Sequence, residues 1–423
     1  MAALTPRRLL ALAAGVAVAA RVDAATLRVP EDRPSVTAAL ASCAVGDTVL
    51  LAPGTYAESV TLPVGVTLRA ADLSQPPVLD AGGGSTAVTS ALGSASSRVE
   101  GITIRNGTNA GGPGGGIRVQ GGRLALADVR IENCQAALGG ALSLESGAQV
   151  TWTRGTATGC SASYGGAVFA SGGTLTLTQV LLATNSAQTG GALFAQSTSP
   201  LNLVSCTFRG NQSGGDGGAL ALTQCGASLS DCRLDGNHAT GNGGALWAGP
   251  GTEAVCGYTV FSNNQALEGG GAYATCDGPA AAGCSVVHFT HADLFRNAAA
   301  SSGAVGAGGA SRIETEASVI AFNTGGIACL DPRATIDIAC TLLHANGADP
   351  FPGCASSVSD TTTADPLLCN LDGGDFERCA GSPALSPAAC GTPFLGALGL
   401  GCAACASTPA KGVTWGGLKA RYR

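Results

Sequence analysis

Few residues of this chain combine type and spacing in a way that could do chemistry. His288, Glu314 and Asp337 follow one another at steps of 26 and 23 residues, each inside a short alternating apolar stretch. Glu316 stands two residues beyond Glu314, and Asp293 lies close by in sequence. If those stretches are strands stacked on one another, the three side chains share one outward column. Stacked carboxylates could share a proton as an acid/base pair, or hold calcium through their oxygens. The plainer reading of the same residues is solvated β-surface, since acidic clusters mark sites only statistically. No cofactor is expected, and calcium is the only ion this pattern suggests.

Two further groups stand out. Phe169, Phe194 and Trp247 share the second position after a recurring Gly-Gly-Ala, where strand alternation turns a side chain outward. Such a row is either a platform for sugars or protein partners, or it is covered by a neighbouring loop. Cys134 with Cys160, and Cys206 with Cys232, occupy equal positions on successive repeats. Each pair is expected to form a rung-to-rung disulfide, the alternative being two buried thiols acting as small hydrophobes. Cys402 and Cys405 form a lone C-x-x-C, read as a local disulfide and not as a zinc knuckle. There is no Ser/His/Asp set in a recognisable context, no phosphate loop and no His-Glu-x-x-His. Of two glycosylation sequons, at Asn106 and Asn211, only the first is expected to be accessible.

The elements that must position these residues follow from an internal repeat. Gly-Gly followed by a small or apolar residue recurs at Gly115, Gly139, Gly165, Gly190, Gly217, Gly243 and Gly270. A second marker runs through Cys134, Cys160, Asn185, Asn211, Asn237 and Asn263, at steps of 25 or 26 residues. Counting back three, five and eight residues from it gives mostly apolar positions, such as Ile131, Val129 and Leu126. Spacing by two is strand periodicity, and the step of three marks a corner. Such rungs bury a continuous core only when stacked, at about 4.8 Å per rung. The fold expected is an all-β, right-handed parallel β-helix solenoid of about 11 rungs of about 26 residues, near 50 Å long. A leucine-rich or helical solenoid is set aside because the inner spacing is two, not 3.6.

Composition agrees with that reading. The chain has 423 residues, 64 of them Gly, with 45% hydrophobic and only 12% charged residues. A net charge of -6 argues against nucleic-acid binding. Residues 1–24 read as a secretory signal, with Arg7 and Arg8 before the apolar Leu9 to Ala20, a stretch too short to span a bilayer. No later apolar stretch is long enough to cross as a helix. Seventeen cysteines fit an oxidising compartment, and their odd number leaves at least one unpaired or pairing between chains.

Gly-Gly-Ala-Leu alternating with Phe-x-x-Asn, as at Phe208–Asn211 and Phe261–Asn264, resembles the passenger repeats of chlamydial-type polymorphic outer-membrane proteins. That resemblance implies a surface adhesin, without the barrel those proteins carry. Gly46-Asp47-Thr48-Val49-Leu50-Leu51-Ala52-Pro53-Gly54-Thr55-Tyr56 resembles the first rung of pectin-lyase-like β-helix proteins, and Asp365-Pro366-Leu367 with Ser382-Pro383-Ala384-Leu385 resembles the closing segment of bacterial secreted members. The fold hosts lyases, hydrolases, esterases and adhesins alike, so the resemblance implies fold more than activity.

The organisation expected is a signal over 1–24, an N-terminal cap and first rung over 25–58, and the parallel β-helix over 59–350. A closing segment over 351–401 and a tail over 402–423 follow. Ser35 to Ser42 is expected to form a short covering helix. The function expected is a secreted or cell-surface binding module without catalysis, its partners glycans or cell-surface proteins. The alternative is a polysaccharide lyase or hydrolase working from His288, Glu314, Glu316 and Asp337.

Overall fold

The alternating stretches close into strands, and the strands stack into a right-handed parallel β-solenoid. The structure is a computed structural model and describes residues 24–276, 283–347, 355–386 and 392–402. The expected signal segment (Ala24 apart), the loop residues 277–282, Cys405 and most of the tail lie outside them. A regular rung runs through four sheets in turn. Arg123–Ala127 lies in a first sheet of 14 strands, and Arg130–Glu132 in a second of 12. Gln135–Leu138 lies in a third sheet of 6, and Leu142–Leu144 in a fourth of 11.

Each corner has its own backbone chemistry. The step of three in the apolar pattern is a single left-handed residue between the first and second sheets, as at Asp128 (φ 54°), Arg154 (φ 51°) and Gln179 (φ 55°). The sharp turn into the fourth sheet needs the first Gly of Gly-Gly. At Gly139 φ is 63°, and an added Cβ would lie 2.2 Å from the Leu142 carbonyl oxygen. The corner after the second sheet turns just before the marker. The left-handed residue there is the one before the marker, such as Asn133 (φ 53°) or Thr184 (φ 54°). The marker asparagines themselves are buried and bond along the stack.

That ladder is continuous. Asn185 donates its backbone N–H and its Nδ2 to Oδ1 of Asn211, each at 3.0 Å, and a second Nδ2 bond reaches the Ala157 carbonyl at 3.0 Å. The same pattern carries Asn211 to Asn237, then Asn264, Asn297, Asn323 and Asn346. The expected member Asn263 is not in it. This rung holds one extra residue, so Asn264 takes the ladder position while Asn263 adopts φ 55°. Its apolar positions shift with it. Cys256 and Phe261 face the core, while Val255 and Tyr258 are 40% and 44% exposed.

Inside the coil, equal positions pack as columns. Trp152 is the largest fully buried side chain, and it fits because its own rung has Gly155 where other rungs carry Val129 or Val180. A Cβ at Gly155 would fall 1.9 Å from the indole nitrogen. The count of rungs also differs from expectation, with 14 strands stacked in the first sheet, about 60 Å end to end. Thr26–Val29, Thr48–Leu51 and Thr67–Ala70 are its first three strands. They pair in register at steps of 22 and 19 residues, too short for the 26-residue repeat to reveal. The helix Val36–Ala41, capped by the Ser35 hydroxyl, buries Val36, Ala39 and Leu40 in the core at this end.

The C-terminal segment lies against the flank of the coil. Leu368–Asn370, Asp375–Cys379 and Leu400–Cys402 form a small sheet. Its Leu368 and Phe376, with Ala384 and Leu395, pack on Phe295, Val319, Ala321 and Leu342 of the second sheet's outer face. A fully buried ion pair fastens it, Arg378 NH2 to Asp293 Oδ1 at 2.5 Å. Asp293 Oδ2 also accepts the N–H groups of Ala397 (3.0 Å) and Leu398 (2.8 Å). Cys402 is bonded to Cys369, Cα–Cα 6.0 Å, and not to Cys405 as its C-x-x-C spacing suggests. Removing one partner of a buried pair leaves an uncompensated charge. Asp293→Ala is therefore expected to cost about 3–5 kcal/mol, seen as early proteolytic release of the C-terminal segment. The double change Asp293→Leu/Arg378→Met should resist proteolysis far better than the single one. Equal protease resistance of Asp293→Ala and the parent chain would refute the clamp.

Candidate functional site

Four consecutive strands of the first sheet carry the site: Val286–Thr290, Arg312–Glu316, Thr335–Ala339 and Ala355–Ser359. Val287, Phe289, Ile313, Ile336 and Ile338 alternate inward and are buried. That fixes the opposite face toward solvent. Parallel pairing without slip then aligns His288 with Glu314, Asp337 and Ser357 in one column, and Thr290 with Glu316, Ala339 and Ser359 in the next. The side chains line a shallow depression of about 300 Å³.

The column is a chain of contacts in which one guanidinium bridges two carboxylates. His288 Nδ1 lies 2.5 Å from Glu314 Oε2. Arg312 NH2 reaches Glu314 Oε1 at 2.7 Å and Asp337 Oδ2 at 2.8 Å. The Ser357 hydroxyl donates to Asp337 Oδ1 at 2.6 Å. That hydroxyl first, and then Arg312, hold the Asp337 carboxyl below its ordinary range. Glu316 stands exposed beside this chain.

Sequence reasoning singled out His288, Glu314, Glu316 and Asp337, and the fold gathers them. It missed Arg312 and Ser357. Arg312 was legible, because it sits two residues before Glu314 and so shares its face. Ser357 lies on a rung with no ladder asparagine to announce it. Asp293 is not part of this group; it is buried on the second sheet, clamped to Arg378. Asp331 pairs with Arg333 at 2.7 Å, and His344 Nδ1 lies 3.0 Å from the Thr363 carbonyl.

Of the two readings of the aromatic row, the structure shows the covered one. Phe169, Phe194, Ala221 and Trp247 do stack in register on the side of the fourth sheet away from the main core. They are not an open platform, for Phe169 and Phe194 are each only 7% exposed. The Gly-Gly corner folds the third sheet sharply toward the fourth, and Leu138 and Tyr164 close over the rings. Phe169 and Phe194 stack at 5.8 Å, with the Tyr164 ring edge-on to Phe194 at 5.2 Å. Trp247 packs partly buried against the same cluster.

The cysteine pairs are a correction. Cys134, Cys160, Cys206 and Cys232 are buried free thiols, as are Cys225 and Cys256. In-register parallel strands keep equivalent Cβ atoms about 4.8 Å apart, whereas a disulfide draws them to about 3.8 Å. The thiols bond to carbonyls instead, Cys206 Sγ to Leu177 at 3.4 Å and Cys232 Sγ to Leu203 at 3.3 Å. Burial pushes the Cys256 thiol up to about 12, and the Cys206 contact raises Cys232 well above the thiol range. The bonds Cys276–Cys284 and Cys369–Cys402 lie outside the main core, and Cys329, Cys340 and Cys379 are disulfide-bonded as well. The sulfurs of Cys369, Cys379 and Cys402 lie close together, but all three cysteines are disulfide-bonded, so they offer no metal site.

One family match agrees with the architecture. Residues 90–266 match the family described as right handed beta helix region. Among solved structures, a polygalacturonase from Erwinia carotovora ssp. carotovora follows a similar course. The likeness covers 79% of this chain and 96% of that one, at 12% identity and a TM-score of 0.39. No curated protein matches the chain in sequence. The family match conveys fold alone.

Two outcomes check the site's chemistry. Ser357→Ala should move the Asp337 titration midpoint upward, toward the ordinary carboxylate value, in a carboxyl-carbon NMR titration. An unmoved midpoint would mean the hydroxyl does not hold the charge. Because Asp337 is depressed in the folded state, its contribution to stability is present above the ordinary carboxylate pKa and is lost as pH falls through the depressed one. Separately, alkylation of the unfolded, unreduced chain should label Cys134, Cys160, Cys206 and Cys232, while the folded chain leaves them unmodified. Peptides cross-linked through either pair would contradict the free-thiol assignment.

Proposed function

We propose that the chain is an exported β-helix that binds carbohydrate on the outer face of its first sheet, acting at the cell surface or outside the cell. The observation that carries this is the chain of His288, Glu314, Arg312, Asp337 and Ser357 on four successive rungs. Its side chains are held in place by one another, so they can meet a ligand's hydroxyls with little ordering cost. Carboxylate oxygens and a serine hydroxyl are the groups that orient sugar hydroxyls through charge-assisted hydrogen bonds. The disulfides Cys276–Cys284 and Cys369–Cys402 support an oxidising location. Among the described residues, no helix is long and apolar enough to cross a membrane.

Binding is favoured over cleavage by the state of the carboxylates. Glycoside hydrolysis by a carboxylate pair needs one member kept protonated near neutral pH. Here Asp337 is held low by Ser357 and Arg312, and Arg312 bridges it to Glu314, so the two carboxyls do not face each other across an open gap. The test is a panel of acidic and neutral polysaccharides, followed by titration for binding and by assay for new reducing ends or unsaturated products. Expected is binding without cleavage, weakened about tenfold or more in Glu314→Ala, as for loss of a charge-assisted bond. Cleavage that vanishes in Glu314→Ala would make this an enzyme. Binding indifferent to Glu314→Ala and Asp337→Ala would move the site elsewhere.

A further inference from the structure

The charge balance of the depression restricts what can lie in it. Its lining holds three carboxylates, Glu314, Glu316 and Asp337, against one guanidinium, Arg312. That guanidinium is already committed to Glu314 and Asp337 at 2.7 and 2.8 Å, and the His288 ring is committed to Glu314 at 2.5 Å. No cationic group is left to receive a carboxylate from a ligand. Freeing Arg312 for that purpose would strand Glu314 and Asp337 beside the incoming anion, which is repulsive at close range.

The face leading to the depression adds no cation. The first-sheet strands from Gln149–Thr153 to Val286–Thr290 contain no Lys or Arg. Outward they present Thr176, Thr178, Asn202, Ser228 and Ser230, with Glu253 as their one charge. Of the arginines on this sheet's early strands, Arg28 pairs with Glu31, Arg69 and Arg98 are engaged with Glu100, and the exposed Arg123 stands seven strands away from Arg312. The whole chain carries -6 and has an isoelectric point near 5.2, so its long-range field also opposes polyanions.

We infer that the ligand of this site is an uncharged, hydroxyl-rich glycan, and that polyuronates and other anionic polysaccharides are excluded from it. The inference rests on the carbohydrate-binding reading above and names its substrate class. Sugar hydroxyls donate to the exposed Glu316 and to the free lone pairs of Glu314 and Asp337. Hydroxyls on the neighbouring rungs extend the track toward Thr176.

Matched polymers separate charge from shape. Polygalacturonate, alginate and glucuronan are each compared by calorimetric titration with the same polymer after its carboxylates have been reduced to hydroxymethyl groups. Expected is that at least one reduced polymer binds about tenfold or more tightly than its parent acid at low salt. That ratio should shrink as salt screens the repulsion, and narrow in Glu316→Lys. Acids that bind as tightly as their reduced forms, with binding lost in Glu314→Ala, overturn the inference and leave the site standing. Failure of every polymer of both kinds to bind overturns the site as well.

Discussion

The structure depends on parallel strands stacking without slip, and the asparagine ladder is the interaction that enforces it. Each ladder amide donates to a backbone carbonyl of the preceding rung, and its oxygen receives two bonds from the ladder residue of that same rung. The ladder is buried, so a rung shifted by one residue would leave several polar groups unpaired, each costing about 1–3 kcal/mol. A one-residue slip would also turn every apolar residue outward. The rung around Asn264 shows the constraint at work. It holds an extra residue, yet the ladder keeps its place, and the surplus is taken up by Asn263 in the left-handed conformation.

The site is a consequence of that register. His288, Glu314 and Asp337 are separated by 26 and 23 residues, so only equal placement on successive rungs can join them. Once joined, three carboxylates at strand spacing repel, and Arg312 placed between two of them relieves it. The same rungs are held on their other flank, where Asp293, five residues after His288, is clamped to Arg378. A polar surface chain on one side and a buried ion pair on the other thus brace one stretch of the coil.

Much of this was legible in the sequence, because a solenoid writes its geometry as a period. The inward columns, the corner after Leu126 and the alignment of the late acidic residues all follow from counting. What counting could not reach has physical causes. The first two rungs lack both the glycine pair and the marker asparagine, and their steps of 22 and 19 residues break the period. Outward alternation placed Phe169 and Phe194 on the correct face, but exposure depends on the angle at the Gly-Gly corner, which brings Leu138 and Tyr164 over them. Equal rung positions suggested disulfides at Cys134/Cys160 and Cys206/Cys232, yet equal position is what holds their Cβ atoms at strand spacing. Arg378, distant in sequence from its partner Asp293, carried no periodic signal.

The account stands on carbohydrate meeting the late rungs of the first sheet. The most direct measurement is a crystal structure of the protein soaked with an oligosaccharide from the polymer it binds. The account predicts sugar density across the strands bearing Glu314, Asp337 and Ser357, with hydroxyls on the carboxylate oxygens and Arg312 still bridging Glu314 and Asp337. Sugar seated instead at the corner of the third and fourth sheets, or Arg312 swung away to grip a sugar carboxylate, would contradict it.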